Sequence, residues 1–537
     1  VAEVPLPDRN VLWPPQECKE AKKHYDEWGA WFSGDPQQLR QYYQVSNGFG
    51  ALIDPKQYPD SANNLLDQIS KFFWGNPPEQ GNIRDGKLHI PLAGDIASTS
   101  ADLLYTEPPA FTVVEDLIGA ERTQGRLDKI VDNGMIPALL ESAEVASAMG
   151  GVYLRLTVDP DMANTPLFDV IPPESAVPMF RSGRLQAVIF WRKVGQIENS
   201  VFRHLELHEV GRVWHGLYQG SDEALGERID LRAMEETSQY FDIVGEAGFV
   251  ETFSDGLTAE YIPNMRPNRV MKGSPFGRSD YQGIEATMDA LDEVWSSLMR
   301  DVRLGKSRLI VPESYLESNG VGRGARFSAE RELFTPVKAM PDNEGVSIEQ
   351  VQFTIRVDEH LASARMLAAQ ALRGAGYSAQ TFGEGDQSGP ATATEIQARE
   401  SRSYTTRDRK IGYQRPAIAR LARVALQMDK AFFGSDAGDV SENPNLEWPD
   451  GVQTDMETTS KVVQMLDAAK AVSSRTKIEM VHPQWDTGQV QEEIELIEGE
   501  ATIAVDVPNG ADQFDEPEMT DAADTDEPAE PAAEPVR

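Results

Sequence analysis

Eight basic residues stand close together in an otherwise acidic chain: Arg399, Arg402, Arg407, Arg409, Lys410, Arg415, Arg420 and Arg423. Guanidinium groups in such a run can meet the phosphates of a nucleic acid. They can also neutralise carboxylates of the same chain or a neighbour. With 87 Asp and Glu against 50 Lys and Arg, pairing with the surplus acids is the expectation. Catalytic patterns do not emerge. There is no Gly-x4-Gly-Lys-Ser/Thr, no His-Glu-x-x-His and no Gly-x-Ser-x-Gly. Gly320-Val321-Gly322-Arg323-Gly324 lacks the spacing of a dinucleotide loop and reads as a surface turn. The seven histidines look scattered, and His89 and His360 read as structural or exposed. Cys18 is the single cysteine, which excludes an intrachain disulfide and a thiolate metal site. Glu492-Glu493 carries no weight among so many acids. Neither an enzyme, a cofactor nor a metal site is expected.

The elements that position the basic run are helical. Ile284, Met288, Leu291, Trp295, Leu298 and Val302 alternate by four and three, which predicts an amphipathic helix over Ser279–Leu304. Val357, Leu361, Ala364, Ala368 and Ala371 predict a second over Val357–Arg373. A third, from about Thr394 to Phe433, carries Ile411, Ile418, Leu421, Ala425, Met428 and Phe432 together with the basic residues. Thr392 and Glu395 form a capping-box pattern at its start, and Pro416 predicts a kink. A strand-like module separates the first two helices. A loop holding Gly374, Gly376, Gly383, Gly385 and Gly389 separates the last two.

Before these helices the chain reads as mainly helical to about Gly150, with one helix over Leu127–Met149. It then changes to period-two strands: Val152–Val158, Phe168–Ile171, Val177–Phe180, Leu185–Lys193, Val201–His208 and Val213–Tyr218. Residues 222–265 are mixed, and Asn264–Ser279 reads as a linker. Further helices are expected at Glu457–Val472 and Thr487–Ile503. From Asp506, eleven acids face one arginine, and the segment is expected to be disordered.

The length of 537 residues predicts two to four domains. A net charge of −37 favours solubility and opposes nonspecific adhesion to nucleic acid, and it does not exclude a passage whose negative wall keeps DNA from sticking. No apolar run approaches about eighteen residues, so no membrane helix is expected. Val1–Asn10 does not read as a signal peptide.

The order of these parts resembles the portal proteins of tailed bacteriophages, of the siphovirus type. The likeness runs from about Trp28 to Glu500. It is carried by Glu27-Trp28-Gly29-Ala30-Trp31-Phe32-Ser33-Gly34-Asp35, by Ser100-Ala101-Asp102-Leu103-Leu104-Tyr105-Thr106-Glu107-Pro108-Pro109 and by Ile171-Pro172-Pro173-Glu174. Ser388-Gly389-Pro390-Ala391-Thr392-Ala393-Thr394-Glu395 and Trp485-Asp486 with Glu492–Glu498 complete it. The resemblance implies an α+β portal fold. Its parts would be a wing over 1–278 (helical 1–150, β-rich 151–221, mixed 222–278), stem helices over 279–304 and 357–375, and an α/β clip over 305–356. A tunnel loop would follow over 376–391, then a long helix and crown over 392–505 and a tail over 506–537. It implies stem packing through Ile284, Met288, Leu291, Trp295, Leu298, Val302 and Leu361. Tyr377, Gln380, Phe382, Glu384, Asp386 and Gln387 would lie on the loop facing DNA.

The resemblance further implies a ring, usually of twelve subunits, at one vertex of a capsid. The ring would pass double-stranded DNA for packaging and ejection. Its partners would be the large terminase subunit, the head-tail adaptor, and the major capsid and scaffolding proteins. Synthesis would be in the host bacterial cytoplasm. The alternatives are another ring-forming or scaffold-type virion protein without a DNA tunnel, and an unrecognised hydrolase.

Overall fold

In the computed structural model the described residues are 6–7, 10–43, 87–304, 356–383, 393–449, 456–482, 485 and 487–504, with short strands between 308 and 351. Most of the expected clip, the loop beyond Gly383 and the acidic tail lie outside them. The chain divides into two units, Val1–Val452 and Gln453–Arg537.

Helix α1 (Gln16–Ser33) begins behind Pro14-Pro15 and stops where Gly34 turns left-handed. It buries Tyr25, Trp28 and Trp31. In α2 (Pro36–Leu39) the Asp35 side chain accepts the Gln37 N–H and caps the turn. Helix α3 (Leu92–Tyr105) buries its small face, Ala93, Ala97 and Ala101. Strand β1 (Ala110–Thr112) follows. The single helix expected over Leu127–Met149 is two: α4 (Ala120–Ile130) and α5 (Ile136–Met149), joined by a π turn over Val131–Met135. Non-helical backbone at Asn133 and Gly134 causes the break. At Gly150, φ is +83°, and a Cβ there would stand 2.8 Å from the Ser279 nitrogen. Only glycine lets the chain pass so closely.

The strands fall near where alternation predicts them: β2 (Gly151–Thr157), β3 (Leu167–Ile171), β4 (Ala176–Arg181), β5 (Arg184–Ile197), β6 (Ser200–Glu209) and β7 (Arg212–Gly220). Strand β8 (Glu227–Ile229), helix α6 (Glu235–Val244), and strands β9 (Phe249–Glu251) and β10 (Ala259–Pro263) occupy the stretch that patterning left mixed. The strands form two antiparallel sheets: β10-β2-β3, and β4-β5-β6-β7-β8 with β9 also pairing β7. Strand β6 is buried on both faces. Leu205 and Leu207 join a cluster with Trp13 and Trp214, while Phe202 packs with Leu217, Leu231 and Val244.

Helix α7 (Glu285–Leu304) starts later than the expected Ser279. The Ser279 hydroxyl donates to the Ala148 carbonyl, and Gly283 is left-handed at +92°, so the helix propagates only beyond them. Short strands follow at β11 (Arg308–Ile310), β12 (Glu317–Ser318), β13 (Ala325–Arg326) and β14 (Glu349–Val351), pairing as β11-β14 and β12-β13. Helix α8 (Val357–Ala375) runs back along α7. The pair is antiparallel: Gly374 abuts Ile284 at one end, and His360 meets Asp301 at 3.1 Å at the other.

The predicted stripe packs unevenly. Ile284, Met288, Leu291 and Leu298 are buried, and Trp295 is half-buried. Leu361 is also half-buried. Val302 is 40% exposed and, within one chain, is not a packing residue.

Helix α9 (Ala393–Phe433) spans 41 residues and runs unbroken through Pro416. Its Ile418, Leu421, Ala425 and Met428 pack with α3, α4, α5 and strand β2 in the largest apolar cluster. Strand β15 (Asn445–Glu447) pairs β1. In the second unit, α10 (Met456–Ala468), α11 (Ser474–Val481) and α12 (Thr487–Ala504) follow in turn. The Ser473 hydroxyl caps α11 by accepting the Thr476 N–H, and Ile478 and Val490 are buried.

Leu291→Ala should lower chain stability by about 2–5 kcal/mol, because it empties a filled site. Val302→Ala should change it by no more than about 0.5 kcal/mol. Denaturant unfolding of dilute protein checks both.

Candidate functional site at the helical junction

The loop that the resemblance places against DNA joins α8 to α9, and its roots are held by a buried polar cluster. Asp280 lies just ahead of α7 and is 3% exposed. Its backbone N–H donates to the Ser147 carbonyl of α5. One carboxylate oxygen accepts from Lys410 Nζ at 2.6 Å, Ser147 Oγ at 2.7 Å and Tyr377 Oη at 2.9 Å. The other accepts Asn264 Nδ2 at 2.8 Å. Lys410, on α9, also donates to Ser100 Oγ of α3 at 2.6 Å and to Tyr377 Oη at 2.9 Å. Burial pulls the Lys410 ammonium below its ordinary value, and Asp280 opposes that. Burial, then the Asp280 charge, holds the Tyr377 hydroxyl protonated. The adjacent Tyr281 hydroxyl donates to the Ala93 carbonyl at 2.7 Å. Pattern reading missed this node, because its members come from distant segments.

The loop's first turn is fastened to α9. Gly376 ends α8 with φ +105° and gives its carbonyl to the Thr406 hydroxyl at 2.6 Å. The Ser378 N–H donates to Ser403 Oγ at 2.9 Å, and the Thr381 and Ser403 hydroxyls meet at 2.8 Å. Tyr377 was expected on the DNA-facing loop, but it is 2% exposed and belongs to the interior. Its ring packs among the apolar residues of α1, α7 and α8, while its hydroxyl completes the Asp280–Lys410 node. Gln380 is half-buried. Phe382 packs edge-on against Tyr377, with centroids 6.1 Å apart. Glu384, Asp386 and Gln387 lie outside the described residues.

In the basic run of α9, Arg407 and Lys410 are buried, Arg423 is half-buried, and Arg402, Arg409, Arg415 and Arg420 are exposed. Arg420 pairs with Glu260 at 2.7 and 3.0 Å, and Arg423 pairs with Asp255. Arg407 donates to the carbonyls of Leu103 and Pro449. Arg402 donates to the Arg373 carbonyl at 2.7 Å. Arg415 lies over the Trp448 ring. Pairing within the chain therefore accounts for most of these cations.

Acids on α7 are used the same way. Asp292, 1% exposed, accepts from Tyr43 Oη and the Ile90 N–H and contacts His89 Nδ1, while Asp289 pairs with Lys87. The histidines are less scattered than the linear sequence implied: His204, Glu206 and His215 converge on one sheet face. The alternation His204-x-Glu206-x-His208 on a strand was the signal available for that.

A family model described as "Phage portal protein, SPP1 Gp6-like" matches residues 36–504. The chain belongs to this family. Phage portal proteins are structural components of the virion, and this chain is one by that match. Among solved structures, it is similar to a chain of the virion of a native gene transfer agent particle. That alignment has 12% identity and a TM-score of 0.37, covering 78% of this chain and 98% of the other. It is also similar to a chain from the neck of an empty gene transfer agent particle. There the identity is 12% and the TM-score 0.40, covering 76% and 94%. No curated protein matches the sequence.

Lys410→Met leaves the Asp280 carboxylate buried without its cation and should cost about 3–5 kcal/mol. Combining it with Asp280→Asn should recover most of that loss, because neither charge is then stranded. Equilibrium unfolding of the single and double variants reads the difference.

Proposed function

We propose that this chain is the subunit of a closed ring, usually of twelve copies, that forms the DNA conduit at one capsid vertex. Family membership over residues 36–504 carries this reading. The finer assignment follows the resemblance. Residues 1–278 form the wing, α7 and α8 the stem, 305–356 the clip, and 392–505 the long helix and crown.

Exposed apolar residues support the ring. Met299, Val302, Val357 and Met366 are 41%, 40%, 40% and 67% exposed on the helical pair of a single chain. Neighbouring copies on either flank would cover them. In this reading the tunnel loop begins after its anchored foot at Gly383, and Glu384 and Asp386 keep phosphates from adhering. DNA contact is then steric or through Gln387. Terminase and the head-tail adaptor dock at the clip. Scaffolding and major capsid proteins meet the outside of the ring, and the protein resides in the virion. A scaffold-type ring without a tunnel is the competing reading.

The purified protein should form rings of about 700 kDa, twelve times the 59.4 kDa chain. Native mass spectrometry and top views in negative stain check this, and monomer at all concentrations would contradict it. Removing Glu384–Ser388 should leave rings intact while reducing DNA packaging or retention. Complete packaging by phage carrying that deletion would show that the loop merely joins two helices.

A further inference from the structure

The larger sheet gathers a set of metal-ligating donor atoms away from the helical junction. On β6, His204 and Glu206 are two apart and share a face. On β7, His215 stands directly opposite Glu206. His204 Nε2 and His215 Nδ1 are 3.2 Å apart. That is close to the separation of about 3.4 Å between two nitrogens bound tetrahedrally to one zinc ion. Both imidazoles are buried, at 2% and 6% exposure. Burial and neighbouring cationic groups lower their pKa values to about 3 and 4. Both rings are therefore neutral near pH 7, as ligands must be. Tyr240 of α6 stacks under both rings, at 4.7 and 4.8 Å, and holds their planes.

The carboxylate is oriented as well. Glu206 Oε2 accepts from Arg155 at 2.8 Å, and Oε1 meets His208 Nε2 at 2.7 Å. His208 Nδ1 is held by Thr258 Oγ1 at 2.7 Å. Burial works against the charged Glu206, yet Arg155 and the His208 hydrogen bond keep it ionised. Arg155 also pairs with Asp169 at 2.9 Å. A cavity of about 180 Å³, lined by Arg155, Ser175, His204, Glu206 and Tyr240 among others, reaches this cluster. It gives an ion a way in and room for a water ligand. Arg192 lines the same cavity, so two guanidinium groups stand against the carboxylates of Glu206 and Asp169.

We propose that His204 Nε2, His215 Nδ1 and a Glu206 oxygen form a binding site for a divalent transition cation of the zinc type. The cation bridges β6 and β7, with water from the cavity as its fourth ligand. Arg155 and His208 hold the carboxylate from outside. Two imidazoles and one carboxylate favour zinc, copper or nickel over magnesium or calcium. On binding, the ring that donates in the His204–His215 hydrogen bond moves its proton to its other nitrogen, and both facing nitrogens give lone pairs. The ion would brace the sheet and the α6 helix stacked on it.

The test uses the whole chain, stripped with EDTA, dialysed and supplied with Zn²⁺. Metal analysis after gel filtration should find about one zinc per chain, with a raised melting temperature, and Mg²⁺ should give neither. His204→Asn and His215→Asn should each abolish retention, while His360→Asn should keep it. Wild-type protein loaded with Co²⁺ should show the visible bands of a tetrahedral nitrogen and oxygen site. That readout decides the matter if the variants misfold. Zinc retention unchanged by His204→Asn with His215→Asn in a folded protein would overturn the proposal. So would wild-type protein with no zinc and no cobalt spectrum.

Discussion

Asp280 and Lys410 are both removed from water, and the arrangement of the first unit depends on their meeting. Two such charges lose several kcal/mol each of hydration, and attraction restores it only when their remaining hydrogen-bond capacity is also filled. Ser100, Ser147, Asn264 and Tyr377 fill it. Each comes from a different segment, so satisfying one ion pair forces α3, α5, the bend just after β10, the end of α8 and the middle of α9 to a common point. The node marks where the chain enters the helical pair and where it leaves. Moving the pair against α9 means either carrying this cluster along or stranding a charge.

The same economy of charge runs through the molecule. A chain of net charge −37 places Asp292 and Asp429 inside, but each has partners. Five of the eight basic residues of α9 meet Asp280, Glu260, Asp255 or backbone carbonyls, in keeping with the expected pairing inside an acidic chain. The wall offered to DNA in the proposed ring is accordingly set by what these pairs leave over. The loop region, with its foot bound to Ser403 and Thr406, combines a fixed base with a glycine-bearing span.

Much of the fold was legible. Alternation placed the six strands β2 to β7 within a few residues, because a strand with a buried face writes period two into its sequence. The stripe at Ile284, Met288 and Leu291 was equally plain. Boundaries were less so: Ser279–Gly283 scans as helix, but Ser279 and Asp280 spend their polar groups on α5 and α9. Val302 fits the stripe by spacing, yet among the described residues it stays 40% exposed. Tyr377 read as a loop residue because glycine flanks it on one side and a polar run on the other.

Periodicity wrote the order of helix, strand module, helix, loop and long helix into the sequence, since each is a local property of the chain, and short motifs carried the resemblance to the portal family. Tertiary structure alone decided which of many acids meets Lys410, which arginines are neutralised, and that His215 faces Glu206. Those outcomes depend on contacts between residues far apart in sequence, where a hydrogen bond or ion pair leaves no periodic trace.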